Sequence, residues 1–310
     1  MGDRFTMYAA NLAGVGPFLL KQLREWSVST GIAEVLESVD GKIDADYIAV
    51  GQGAPAFSLS TTMVGSCLEK IGIDALQFLA ASTYTSFDCY LQKMAAGGLR
   101  ASGNVHTKMT AAKGLLVPRR LSVSQGGNAE FSLDAFVVSV LGSAALPVVV
   151  TANQPLPAGN PGTSELFTLG PVLLNAVQLP DVLGIDFDFG LGIEVHGGDG
   201  VPFPTWVSIG SRNPTITVRT RNTAQLTALT VAGAALSADT TVYLRARKEG
   251  GTLYTDEEEE HVSLVVTAGR AEVTRVQGGV PSEAQVRIRP ISDGTNPIVQ
   301  IGTGVAIVLP

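Results

Sequence analysis

Two aspartates stand two residues apart in Asp186-Phe187-Asp188, and such a pair could hold a divalent cation through its carboxylate oxygens. The flanking residues point to a plainer role. Ile185, Phe187, Phe189, Leu191, Ile193 and Val195 alternate with Asp186, Asp188, Gly190, Gly192, Glu194 and His196. That is the period of a strand, with the acids on its polar face. The run Asp256-Glu257-Glu258-Glu259-Glu260 could bind calcium, but consecutive acids rarely converge on one ion. It reads as a solvated loop tip or, with Arg245, Arg247 and Lys248 nearby, as a docking surface of mixed charge. Cys67 and Cys89 have neither CxxC spacing nor that of a metal ladder, and read as buried reduced thiols. HExxH, GxSxG and Walker motifs do not occur. Gly51-Gln52-Gly53 leads into a proline and a strand rather than a helix N-terminus, so it cannot cradle a phosphate. The reading is a protein without catalytic residues, metal site or cofactor.

The stronger signal is internal similarity. Asp46-Tyr47-Ile48-Ala49-Val50-Gly51 and Pro55-Ala56-Phe57-Ser58-Leu59-Ser60-Thr61 are answered, at one constant separation, by Thr205-Trp206-Val207-Ser208-Ile209-Gly210 and Pro214-Thr215-Ile216-Thr217-Val218-Arg219-Thr220. Asp40-Gly41, Tyr90-Leu91, Gly97-Gly98, His106, Gln125-Gly126-Gly127 and Pro147 find counterparts in Asp199-Gly200, Tyr243-Leu244, Gly250-Gly251, His261, Gln277-Gly278-Gly279 and Pro297. The order is kept throughout. One unit repeated once predicts two like domains, 1–155 and 156–310, rather than a solenoid. His106 and His261 then share a structural role, not two active sites.

A length of 310 residues agrees with two domains. Hydrophobic residues make up 45% and charged residues only 16%, so part of the surface is expected to be covered by other subunits. The net charge of −7, with no basic stripe, argues against tight nucleic-acid binding. No secretory signal or membrane-spanning segment is read in the sequence.

The elements that would position these residues are mostly strands. Residues 26–37 and 184–196 each read as one continuous strand ending in a Gly turn. Residues 47–50 with 57–61, and 206–209 with 216–220, read as hairpins. A short helix follows in each half, over 62–71 and 222–232. A long hairpin comes next, its second copy tipped by Glu249-Gly250-Gly251 and the acidic run. The proline-rich stretch 151–184 reads as a linker plus the first strand of the second domain. The fold class is mainly β: two tandem β-sandwich or barrel domains, each with one flanking helix and a long hairpin.

This order of features resembles the tail tube proteins of long-tailed bacteriophages. The resemblance rests on a strand ending in a Gly turn, a Pro-preceded Thr/Ser strand feeding a short helix, and the long hairpin. It extends to Ala129-Glu130-Phe131-Ser132 with Pro147-Val148-Val149, and Ala284-Gln285-Val286-Arg287 with Pro297-Ile298-Val299. It implies a virion protein, assembled in the host cytoplasm, whose rings of six domains stack into a tube for DNA ejection. With two domains per chain, a trimer is favoured over a hexamer. Partners would be further copies of the chain, tape-measure and tail-terminator proteins, and DNA in passage, with no membrane. Glu34, Glu37, Asp186, Asp188 and Glu194 would face the lumen as a negative wall that repels phosphates. Arg245, Arg247, Lys248, Asp256, Glu257, Glu258, Glu259 and Glu260 would join ring to ring. The competing readings are a tandem β-sandwich adhesin, another virion structural protein (head-tail or decoration), or an enzyme on a β scaffold. An adhesin would need an aromatic groove, against which an aromatic content of 6% argues. An enzyme would need a titratable cluster.

Overall fold

A computed structural model describes residues 4–11, 18–29, 31, 34–37, 47–50, 53–79, 86–95, 97–140, 146–157, 165–198, 202–222, 229, 233–278 and 283–310. The fold is mainly β, with several antiparallel sheets and, among the described residues, one helix. The first half contributes β1 (Arg4–Asn11), β2 (Phe18–Leu20), β3 (Leu23–Ser29), β4 (Glu34–Glu37), β5 (Tyr47–Val50), β6 (Ala56–Thr61), α1 (Val64–Ile71), β7 (Leu76–Leu79), β8 (Phe87–Met94), β9 (His106–Ala111), β10 (Lys113–Ser124), β11 (Glu130–Val137) and β12 (Val148–Gln154). The second half contributes β13 (Phe167–Leu174), β14 (Val177–Leu179), β15 (Val182–Asp188), β16 (Leu191–His196), β17 (Trp206–Arg212), β18 (Thr215–Thr220), β19 (Ala234–Ala235), β20 (Thr240–Ala246), β21 (His261–Val266), β22 (Gly269–Gln277), β23 (Glu283–Pro290) and β24 (Gln300–Val305).

Ten strands form one sheet in the order β19-β22-β23-β18-β15-β10-β11-β6-β3, with β7 also paired to β10. Two five-stranded sheets, β12-β9-β8-β1-β2 and β14-β13-β20-β21-β24, and two ribbons, β4-β5 and β16-β17, complete the fold. Strands of the large sheet alternate buried and open side chains. On β11, Phe131, Leu133, Ala135 and Val137 are buried between half-open Glu130, Ser132, Asp134 and Phe136. One contiguous core runs through both halves, including Phe57, Phe131, Phe187 and Ile288.

Every pairing in the first half recurs in the second with the same strand order. Val28↔Phe57 and Ser27↔Ser58 on β3-β6 match Phe187↔Ile216 and Asp186↔Thr217 on β15-β18. A bulge interrupts β10-β11 between Pro118 and Arg120, and another interrupts β22-β23 between Val273 and Arg275. Thr61 Oγ1 donates to the Lys21 carbonyl (2.7 Å) and accepts from Met63 N–H (3.1 Å). Thr220 Oγ1 does the same with Pro180 (2.9 Å) and Asn222 (3.0 Å). These are local devices of turn chemistry rather than generic sheet bonds.

Several expectations need correction. The runs 26–37 and 184–196 are not single strands, because each breaks at a glycine of positive φ, Gly31 and Gly190. A Cβ on Gly190 would lie 1.9 Å from the Asn213 carbonyl oxygen, and one on Gly31 would lie 2.3 Å from that of Ala54. Only glycine permits both that φ and that approach. The proposed hairpins 47–50/57–61 and 206–209/216–220 do not pair with each other. Instead β17 pairs β16 while β18 pairs β15, so each half holds one long hairpin kinked midway. Beyond the kink it leaves the large sheet as a ribbon. The stretch 151–184 holds more strand than the single entry strand expected, with the end of β12, then β13, β14 and the start of β15, while residues 158–164 lie outside the described residues. Pro171 is accommodated where the β13-β20 register shifts between Leu169 and Val172. Along β11 and β23, Phe131 faces Thr61 as Ala284 faces Thr220, so the like pair is Phe131 and Ala284, two residues from the match read in sequence. The helix expected over 222–232 falls almost wholly outside the described residues.

Candidate functional site

Asp186 and Asp188 lie on the polar face of the large sheet, between buried Ile185, Phe187 and Phe189. Both are engaged within the fold. Asp186 accepts a two-pronged contact from Arg120, with Nε to Oδ1 at 2.6 Å and Nη2 to Oδ2 closer still. This pairing raises the Arg120 pKa further. Asp188 Oδ1 accepts from Gly190 N–H (2.8 Å), fixing the glycine kink. Ser29 Oγ does the same for Gly31 N–H (3.1 Å). Among the described residues no group of three His, Cys, Asp or Glu side chains could hold a metal.

The wall of negative charge expected on this face is not what the face carries. Arg119 donates through Nε to Asp134 Oδ2 (2.7 Å). Arg287 donates to Glu272 through Nε (2.7 Å) and Nη2, with Arg289 3.5 Å from the same oxygen. The Arg287 hydrogen bonds hold the Glu272 carboxyl below its usual range. The acids are therefore interleaved with arginines from neighbouring strands, which the sequence spacing did not reveal. Glu34 and Glu37 sit on β4, and Glu194 on β16, in the ribbons rather than in the large sheet. Glu194 is exposed and 3.5 Å from His196 Nε2.

The connection between β20 and β21 is a folded cap, not a free tip. Arg247 bridges Leu253, Lys248 N–H donates to Thr252 (2.8 Å), and Ile307 N–H donates to the Asp256 carbonyl (2.7 Å). Arg245 Nη2 lies 2.5 Å from Asp256 Oδ1. Lys248 Nζ lies 3.3 Å from Glu258 Oε1 and 4.6 Å from the centre of the Tyr254 ring. Glu258 Oε2 accepts from Thr255 N–H (2.5 Å), which lowers its pKa. Four of the candidate docking charges, Arg245, Lys248, Asp256 and Glu258, are thus paired within their own cap. Arg247 Nε and Asp256 Oδ1 are buried without a hydrogen-bond partner, the Arg245–Asp256 contact being an ion pair, whereas Glu257, Glu259 and Glu260 are exposed.

The two histidines occupy one slot in each half. His106 Nδ1 accepts from Lys93 N–H (2.9 Å), and His261 Nδ1 from Ala246 N–H (3.0 Å). Nε2 of His261 then carries the proton and donates to the Thr255 carbonyl (2.8 Å). Burial pushes the His106 pKa down. Cys67 and Cys89 are free and buried, and desolvation raises both thiols well above their ordinary range.

Sequence reasoning missed the two edges of the large sheet. Strand β10 is shared on one side: Lys113 to Leu116 pair with β7, and Arg120 to Ser124 with β15. Among the described residues, β22 is engaged by β19 only at Ala271 and Arg270, and its stretch Arg275-Val276-Gln277 has no strand partner on that side. At the other end, among the described residues, β3 pairs only with β6. Open edges are templates for further pairing. No family model matches the chain, and no curated protein matches it. No helix of the described residues is long and apolar enough to cross a membrane.

Proposed function

We propose that this chain is a self-assembling structural protein of the phage tail tube, built from two copies of one domain, and that three chains close a ring. The observation that carries the reading is the seam β10-β15. It joins two like sets of strands into one sheet and leaves the counterparts of β10 and β15, strands β22 and β3, at its two ends, without a further partner there among the described residues. A unit whose halves already join head to tail is suited to join its neighbours in the same way, and such heterologous contacts make rings when the rotation closes. Closure also removes the edge liability. Eight strands per chain give about 24 strands from three chains. At roughly 4.8 Å per strand the circumference is on the order of 115 Å, leaving a wide bore.

In this arrangement the core side of the large sheet is covered by the five-stranded sheets, and the polar face lines the bore. Arginines paired with carboxylates present little free positive charge to phosphate, so DNA would slide without a counterion-release contact at each residue. Sedimentation and negative-stain microscopy of the purified chain test the reading. Rings or tubes are expected. A protein that stays monomeric at every concentration and salt level, including in the presence of tail-initiating complexes, would overturn it.

A further inference from the structure

We infer that the seam between subunits copies the seam within the chain, strand for strand and in register. The inference rests on the ring reading above and adds its residue-level geometry. Two landmarks set the mapping. The bulge places Arg119 of β10 on Thr274 of β22, and the kink glycine places Gly190 after β15 on Gly31 after β3. Inside the chain, β10 meets β15 through Arg120↔Asp188, Leu121↔Phe187 and Ser122↔Asp186. Carried over, β22 meets β3 of the partner subunit through Arg275 with the partner's Ser29, Val276 with the partner's Val28, and Gln277 with the partner's Ser27.

Burial supports this pairing. Leu121 and Ile185 face the core at the internal seam and are 1% and 4% exposed. Their counterparts on the open edges, Val276 and Trp26, are 53% and 41% exposed. Pairing the edges would take these apolar side chains out of water, which is favourable in proportion to the area covered. A second asymmetry agrees. An apolar groove of about 240 Å³ beside β3 is lined by Val28, Pro55, Met109, Leu146, Val148 and Val150, among others. Val150 there is 63% exposed. The corresponding strand of the second half, β24, is covered by α1 of the first half, and Ile301, the counterpart of Val150, packs against the core. In a ring, the second half of the partner subunit would cover β12 as α1 covers β24. The occupant of edge and groove is therefore another copy of this chain.

Cysteine pairs read the register directly. Full-length Gln277→Cys/Ser27→Cys should cross-link between chains when the assembled protein is oxidised with copper-phenanthroline, giving covalent species that end at three chains. Ser122→Cys/Asp186→Cys, the same pair of positions at the internal seam, should cross-link without a gain in mass. Gln277→Cys/Ser29→Cys, shifted by one pair of residues, should cross-link several-fold less. Rings by microscopy with cross-linking strongest in the shifted pair, or in neither, would overturn the register and leave the ring standing. A ladder continuing beyond three chains would keep the seam and overturn the three-chain ring. No assembly and no cross-link would overturn both. Val276→Asp supplies a second test. It should leave the circular dichroism of the monomer unchanged and reduce ring formation at least tenfold, and normal rings from this variant would contradict the inference.

Discussion

The glycine kinks are the most exposed part of this account to a single substitution. In Gly190→Ala two costs combine. The residue sits at φ 61, where an L side chain costs roughly 1–2 kcal/mol. The new Cβ would also stand 1.9 Å from the Asn213 carbonyl oxygen and 2.3 Å from its carbon. Contact demands a separation above about 3 Å, so the opposing backbone must move by about 1 Å. That displacement disturbs the Asn213 N–H bond to the Gly190 carbonyl (2.9 Å) and the bond from Gly190 N–H to Asp188 (2.8 Å). Losing one or both adds roughly 1–3 kcal/mol. The expected loss is about 2–5 kcal/mol in all. Gly126→Ala is the control: its φ is 75, but no atom lies within 4 Å of the added Cβ, so only the conformational cost of about 1–2 kcal/mol remains. Chemical denaturation followed by circular dichroism gives both values, and Gly190→Asn separates the causes. Asn tolerates the left-handed region but carries a Cβ, so it should be nearly as harmful as Ala at 190. Equal losses for Gly190→Ala and Gly126→Ala, or full rescue by Asn, would refute the close-approach argument.

Acid should destabilise the fold in two stages. His106 is held neutral in the fold, below its ordinary value of 6.5, so the unfolded chain binds the extra proton and stability falls as pH drops below about 6.5. Glu258 and Glu272, held below their ordinary value of 4.5, lose their contribution as pH falls further, through their folded-state values. His106→Asn, whose Oδ1 can accept the Lys93 N–H, should remove the first stage from a melting-temperature profile between pH 7 and 5. Asp186→Asn should cost no more than about 1 kcal/mol, because its partner Arg120 is well exposed, and the cost should shrink in high salt. Glu257, Glu259 and Glu260 changed together to Gln should leave the melting temperature of the chain unchanged, whereas Glu258→Gln should lower it, as read by calorimetry.

Much of the fold was legible in the sequence because alternation and turn residues are local signals. The strand over 184–188 and the equivalence of His106 and His261 followed from period and repeat order, and the helix ending before Gly72 from its stop signal, although its N-cap is Met63 with no side-chain cap rather than a threonine. What was missed depends on tertiary approach. Gly190 and Gly192 fit the polar parity of one long strand, so nothing local separated a neutral glycine from one pressed against Asn213. The charge of Asp186 looked free because Arg120 arrives from another strand. The cap residues Arg245 and Asp256 were correctly read as close, but a contact within one cap and a contact between subunits have the same sequence signature. The open stretch of β22 was invisible for a related reason. It takes its meaning from the filled stretch of β10, and that comparison needs the strand pairings.

The most direct test of the central claim is an electron cryomicroscopy map of the purified chain in its assembled form. The account predicts closed rings of three chains, about 97 kDa from chains of 32.2 kDa, with six like sectors, β22 joined to β3 of the partner subunit, and Arg120 and Asp186 facing the bore. A closed ring with those side chains on its outer wall, or an assembly in which β22 and β3 remain open, would contradict it.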